Sequence, residues 1–257
     1  MPVDNQMYDR LREQWWDEDG FLNILQSALN PARFGYMRRV LTAERDPRGA
    51  TTLDVGCGGG LLAEEFARLG CAVTGVDPSE GSLETARAHA EESGLDIAYV
   101  HGAGEALPFG DATFEVVYCC DVLEHVDDLD RVIAEIARVL EPGGIFLFDT
   151  LNRTLRSKLV MIKLFQEWES TRLMEPNLHD WRMFIKPREL RTTMTRHGLA
   201  QRDTVGIAPG APPPALIRTL RKRRRGELTY GEAGRAFRMR ESRDRSSLYA
   251  GYAVKRP

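Results

Sequence analysis

Cysteine is scarce in this 257-residue chain. There are four, Cys57, Cys71, Cys119 and Cys120, and none has the CxxC spacing of a redox pair or a zinc knuckle. Reduced thiols in a cytoplasmic protein are the expected state. Long hydrophobic runs are lacking too. None approaches the roughly 18 apolar residues of a membrane span, and the polar stretch 1–12 has no apolar core of the kind a secretory leader needs. A charge excess of either sign is also missing: 35 basic against 38 acidic residues leave a net charge of -3. Nothing global therefore draws the chain to nucleic acid or makes it an acidic solvating tail. With 42% apolar residues and ordinary glycine and proline counts, a soluble globular protein with a sizeable core is expected.

The charge that is present is unevenly placed. Residues 216–245 hold eleven basic and four acidic side chains, including the run Arg221-Lys222-Arg223-Arg224-Arg225 just beyond Pro212-Pro213-Pro214. This stretch is expected to be exposed and mobile, because buried unpaired charge is costly. It has three readings: a solvated helix, a lid over a ligand, or a surface that meets anionic lipid.

Strand and helix periods alternate through the first 150 residues. Strands are predicted at 51–55, 71–76, 97–100, 114–120 and 145–150, and helices at 61–69, 79–92 and 129–140. Ser79 is a plausible N-cap, and Pro142-Gly143-Gly144 is a stop. The alternation predicts an α/β fold with a doubly wound, mostly parallel sheet. Further helices are predicted around Trp15-Trp16, at 155–169 and at 187–197, with a closing strand in the last twelve residues. The expected organisation is an N-terminal helical segment (1–50), a cofactor-binding core (51–151) and a substrate-side part of the same domain (152–257).

The sharpest motif is Leu53-Asp54-Val55-Gly56-Cys57-Gly58-Gly59-Gly60, between a strand and a helix, where open α/β sheets bind ligands. Asp77 ends the next strand and can accept both hydroxyls of a ribose. Dinucleotide sites put a pyrophosphate against such a turn. Asp54 would repel phosphate but suits an ammonium, so these residues favour S-adenosylmethionine (SAM) over NAD. The plainer alternative is a tight turn and nothing more.

On these residues the chain resembles the class I SAM-dependent methyltransferases. It is more narrowly similar to the ubiquinone-biosynthesis O-methyltransferases. The likeness runs through Trp15-Trp16-Asp17, Asn30-Pro31-Ala32-Arg33, the glycine motif, VTGVDPS at 73–79, VLEHVDD at 122–128, TLNRT at 150–154 and HDWRMFIKPREL at 179–190. It implies a Rossmann-like fold with SAM held by Gly56, Gly58 and Asp77, and further contacts from Arg33 and Cys120. Many relatives carry an acid after the third strand for adenine; here Ala103 stands in its place, which leaves backbone near Gly104. The implied acceptor is a phenol or catechol of the ubiquinone-precursor type. The basic insertion at 207–246 is longer than the family norm and keeps open a soluble aromatic acceptor, or a SAM-fold protein that binds without catalysis.

A phenol, with pKa near 10, must lose its proton to attack a methyl group. Asp121, Glu124 and His125 follow the fourth strand, and a helical turn would put all three on one face. Two readings stand. In one, His125 acts as a base with Glu124 beside it. In the other, the three ligate Mg²⁺ or Zn²⁺, as the Glu-x-x-Glu-His motif of eukaryotic members implies. His179, Asp180, Asn152 and Arg153 are second-tier candidates for closing the pocket. The expected partner is a small aromatic molecule and not nucleic acid. The helix at 155–169 raises peripheral membrane contact as an alternative to plain packing. Oligomeric state is not legible in the sequence.

Overall fold

The computed structural model describes residues 5–257, with side chains from Met7 onward. The strands of the βα alternation lie parallel: β1 Thr51–Val55, β2 Ala72–Asp77, β3 Ile97–His101, β4 Phe114–Cys119 and β5 Leu140–Leu151. They are joined by β6 Leu199–Pro209, β7 Met239–Ser242 and β8 Leu248–Lys255 in one sheet of order β3-β2-β1-β4-β5-β8-β6-β7. β8 runs antiparallel to both β5 and β6, and β7 is antiparallel to β6 at the edge. The helices are α1 Asn5–Arg10, α2 Asn30–Glu44, α3 Leu61–Arg68, α4 Glu80–Glu92, α5 Leu129–Val139, α6 Leu155–Ser157, α7 Pro187–Arg196, α8 Pro213–Arg224 and α9 Tyr230–Phe237.

Successive residues of the central strands point to opposite faces, and both faces are covered. Val116 and Tyr118 pack with Tyr36 and Met37 of α2, Phe66 of α3 and Leu83 of α4. Val117 and Cys119 pack with Val132 and Ile136 of α5 and Met194 of α7. That is why these strands read as unbroken apolar runs. The helix starts are set locally: Ser79 accepts from the Ser82 N–H and Asp128 from the Arg131 N–H, caps worth about 1 kcal/mol each. α5 stops at Val139, as the Pro-Gly-Gly signal predicts. β5 nevertheless begins at Leu140 opposite Phe114 and resumes at Ile145 opposite Val116, so Pro142–Gly144 form a bulge inside the strand.

Two expectations are corrected. Trp15 and Trp16 lie in a turn after a short 3₁₀ segment, Arg12–Gln14, not in a helix. The basic stretch, expected to be exposed, forms α8, α9 and β7 and is buried in part. Arg218, Arg221 and Arg225 are exposed as predicted. However, Leu220 and Phe237 are buried with Phe21, Leu22 and Leu178 in a third apolar cluster, and Leu216 and Ile217 pack against it. Arg223 lies over the Tyr230 ring at 3.9 Å and pairs with Asp19 at 3.1 Å. Helical spacing of Leu216, Ile217 and Leu220 buries one face and leaves the charges on the other.

β1 lies between β2 and β4, so the chain leaves the sheet centre in opposite directions on either side of it. This is the switch point where an open α/β sheet leaves a crevice at its carboxyl edge.

Candidate active site

A cavity of about 800 Å³ lies in that crevice, within the size range of small-molecule sites. One end is polar and built on the glycine turn. The other is apolar, walled by Phe21, Leu164, Phe165, Leu173, Ile217 and Phe237. Two wide-turned π-helical segments, Leu25–Leu29 and Lys158–Glu167, lie along it.

At the polar end Gly56, Gly58 and Gly60 all have positive φ (77°, 51° and 81°), which glycine adopts without steric cost. The Gly56 N–H donates to the Val76 carbonyl at 2.8 Å, tying the turn to β2. The missing side chains also make room for the protein itself: a Cβ at Gly58 or Gly59 would run into the Trp15 indole. Trp15 donates Nε1–H to Ser82 at 3.1 Å, and Trp16 donates to the Gly59 carbonyl at 2.9 Å and stacks on His89. Asp9 accepts from the Gly81 N–H at 3.0 Å and the Ser79 hydroxyl at 2.7 Å. The N-terminal segment is thus strapped across the glycine turn. Of the four tryptophans only Trp15 reaches the cavity wall.

Asp77 accepts from the Gly58 N–H on one oxygen and the Ser79 N–H on the other, each at 2.8 Å. Each carboxylate oxygen keeps a free lone pair, as two ribose hydroxyls require. Burial raises Asp77 to about 6 against those two hydrogen bonds. Asp54 is buried at the same wall, and its Oδ2 has no partner among the described residues. Burial pushes it to about 8. An orphaned buried acceptor fits the ammonium of a methionyl group, so the chain's own donors and acceptors accommodate SAM. Gly104 and Cys120 line the same end.

At the end of β4 the chain turns sharply through Asp121, a non-glycine residue at φ 53°, a conformation that costs of order 1–3 kcal/mol. Its N–H donates to Asp149 Oδ1 at 2.9 Å, and its carboxylate pairs with Arg33, which also meets Asp149 at 3.3 Å. Asp149 is fully buried and Arg33 nearly so. Removing one partner of such a network costs about 3–5 kcal/mol. Arg33, for which the resemblance implies a SAM contact, lines the cavity, but its charge is largely spent on these two carboxylates. In the sequence Asp149 is marked only as the lone acid in the apolar run Ile145–Thr150.

The left-handed turn also separates the Asp121, Glu124 and His125 side chains. Residues 121–125 form a bend and a turn, closed by the His125 N–H on the Val122 carbonyl at 2.8 Å, and not the expected helix. Asp121 goes to Arg33. Glu124 turns back to β5, where it accepts from the Thr150 hydroxyl at 2.7 Å, and is not on the cavity wall. Burial, with Asp121 nearby, raises its pKa. Of the three, Asp121 and His125 face the cavity. The shared face required for metal ligation is therefore absent. Among the described residues no three His, Cys, Asp or Glu side chains are placed to hold a metal ion. These donors, as arranged, do not fit a divalent ion.

His125 is half-buried at the cavity wall, and its burial pushes the imidazole down to about 4. His179, from the 179–190 motif, lies beside it, ring centres 4.9 Å apart. Burial and the neighbouring His125 lower it too. The other second-tier residues hold loops: Asn152 donates to the Arg245 carbonyl at 2.7 Å, Arg153 to the carbonyls of Arg182 and Phe184 at 3.2 Å, and Asp180 accepts from the Arg182 N–H at 3.0 Å.

Comparison with known proteins gives one consistent picture. Residues 53–148 match a family described as a methyltransferase domain. The chain is 40% identical over 216 residues to a ubiquinone biosynthesis O-methyltransferase of Caulobacter vibrioides, covering 80% of this chain and 84% of the relative. It is 39% identical over 222 residues to the protein of the same name from Methylocella silvestris, with the same coverage. Among solved structures, magnesium protoporphyrin IX methyltransferase from Synechocystis with bound SAH shares the fold, with TM-score 0.63 at 18% identity over 97% of this chain and 94% of that one.

Proposed function

The chain belongs to the ubiquinone biosynthesis O-methyltransferases, and from that premise we propose how its residues carry out the transfer. The activity is SAM-dependent methylation of an oxygen on a ubiquinone precursor. SAM, when bound, supplies a methyl carbon on a positive sulfonium, open to in-line attack. The chain aligns the two reactants and keeps water out. Asp54 and Asp77 hold the ammonium and ribose ends, Cys120 and the backbone around Gly104 flank the remainder, and the apolar end takes the acceptor.

His125 receives the acceptor's hydroxyl proton. Its burial keeps the imidazole neutral at pH 7, with a free nitrogen lone pair. A weak base suffices, because the hydroxyl becomes strongly acidic as its oxygen takes the methyl group. The charge of Asp121 steadies the imidazolium so formed. The observation that carries this assignment is that His125 and the glycine turn share one cavity. His125→Ala is expected to lower turnover of labelled methyl transfer by about 10²–10⁴-fold with SAM affinity nearly unchanged. Wild-type activity should survive EDTA. Loss of that activity, restored by Mg²⁺ or Zn²⁺, would return the metal reading.

Peripheral membrane contact is the finer part of the reading. Among the described residues no helix is long and apolar enough to cross a membrane. Leu155, Leu159 and Trp168 are nonetheless exposed at 80%, 53% and 50%. Arg224 donates to the Glu169 carbonyl, joining the basic end of α8 to that apolar group. Apolar side chains beside clustered arginines suit an anionic bilayer. The wild type should float with anionic liposomes at low salt, and a variant with Arg221 to Arg225 changed to Ser should not. Failure of both to float removes membrane contact.

A further inference from the structure

His179 has no task in the transfer as described, yet its placement is tightly specified. Gln166, itself buried, accepts from the His179 N–H at 2.8 Å and donates to the His179 carbonyl at 3.1 Å. This two-way amide clamp fixes the backbone while the ring lies on the cavity wall, edge-on to Phe184. Its Nδ1 is buried and has no hydrogen-bond partner among the described residues. The His125 ring beside it is tilted by 35° with centres 4.9 Å apart. Of the five histidines only these two line the cavity. The two neighbouring imidazoles line the same cavity, close enough for both to meet one ligand. Buried polar groups are almost always paired, so the unpaired nitrogen implies a partner brought by the acceptor.

We infer that His179 is a specificity-determining residue that takes the hydroxyl adjacent to the one being methylated, so that the His125–His179 pair selects a ring with two neighbouring oxygens. The assignment rests on the methyl transfer proposed above. A phenol with a single hydroxyl fills only the His125 side and leaves the His179 nitrogen unpaired. A catechol fills both. An acceptor lacking a group that a buried site is built to bind is discriminated against strongly.

The test compares kcat/KM for a prenylated catechol and for the same prenylated ring with one hydroxyl, in the wild type, His179→Phe and His179→Asn. His179→Phe keeps a planar ring without nitrogens. It should lower catechol turnover about 10–100-fold, the scale of one lost buried hydrogen bond, and leave the monophenol unchanged, so the wild-type preference collapses. His179→Asn, with an amide that can bond, should recover part of it. SAM affinity measured by calorimetry reads folding independently, and His179→Ala, which also removes both nitrogens, gives the same ratio if the Phe variant does not fold. Equal loss on both acceptors, or no loss on either, overturns the role of His179 while leaving the methyl transfer standing. Failure of the wild type to methylate either ring overturns both.

Discussion

Asp77 carries two tasks on the proposed reading. Its oxygens organise the protein by holding the Gly58 and Ser79 N–H groups at 2.8 Å, and at the cavity wall their remaining lone pairs are proposed to take the ribose hydroxyls. Asp77→Ala is therefore expected to weaken SAM binding by roughly 1.5–3 kcal/mol, the scale of charged hydrogen bonds. Calorimetry on the folded variant checks this, and an unchanged affinity removes the ribose role. Asp121 is the other decisive residue. Its left-handed φ of 53° goes with its own carboxylate on Arg33, Glu124 on the Thr150 hydroxyl and His125 at the cavity wall. Three neighbours in sequence thereby acquire three separate surroundings.

Among the elements, the glycine turn and the N-terminal strap depend on each other. Trp15 lies where the side chains of residues 58 and 59 would be, so these glycines make room for the indole. Gly58→Ala carries a left-handed backbone cost of roughly 1–2 kcal/mol and, in addition, a collision with Trp15. In a Trp15→Ala background only the backbone cost remains. Denaturant unfolding of the two single variants and the double variant should give a coupling of about 0.5–3 kcal/mol. Additive losses would mean that the strap and the turn do not act together. α8 and α9 play the matching part at the apolar end, where Leu216, Ile217 and Phe237 line the cavity.

For the whole molecule, the cost of the site is buried acid. Burial raises Asp77 to about 6 and Asp54 to about 8, while both start near 3.9 in an unfolded chain. A folded pKa above the unfolded one means that the native state holds the proton more tightly. The associated stability is full below pH 4 and is lost as pH rises through 6 and 8. The ligand-free protein should therefore show a melting temperature that falls between pH 5 and 9. A cationic ligand reverses the preference at Asp54 by favouring the carboxylate, so SAM should bind more tightly as pH rises from 6 to 8, with proton release. Calorimetry in buffers of different ionisation enthalpy measures that release. Proton uptake, or none, would place the ammonium away from Asp54.

The core strands from Thr51 to Cys119, the helices α3, α4, α5 and α7, and the acid and glycines of the cofactor end are all legible in the chain order. Each is signalled by a pattern within a few residues: period, cap, turn glycine or strand-ending acid. β6, β7, α8 and α9 are not, because their apolar residues are few and interrupted by polar, glycine and charged residues. Leu216, Ile217, Leu220 and Phe237 become a core only when Phe21, Leu22 and Leu178 are brought against them. The active-site assignments divide in the same way. His125 is marked by its place after β4, but a one-dimensional spacing assumes a regular helix and cannot foresee a single left-handed residue. Nor does any local pattern join Arg33 to Asp121 and Asp149, or His125 to His179 more than fifty residues on. Those pairings come from the sheet order and from the residues between 152 and 184 that line the same cavity. Charge and hydrogen-bond partners are set by distance in space, and in this fold only tertiary structure supplies that distance.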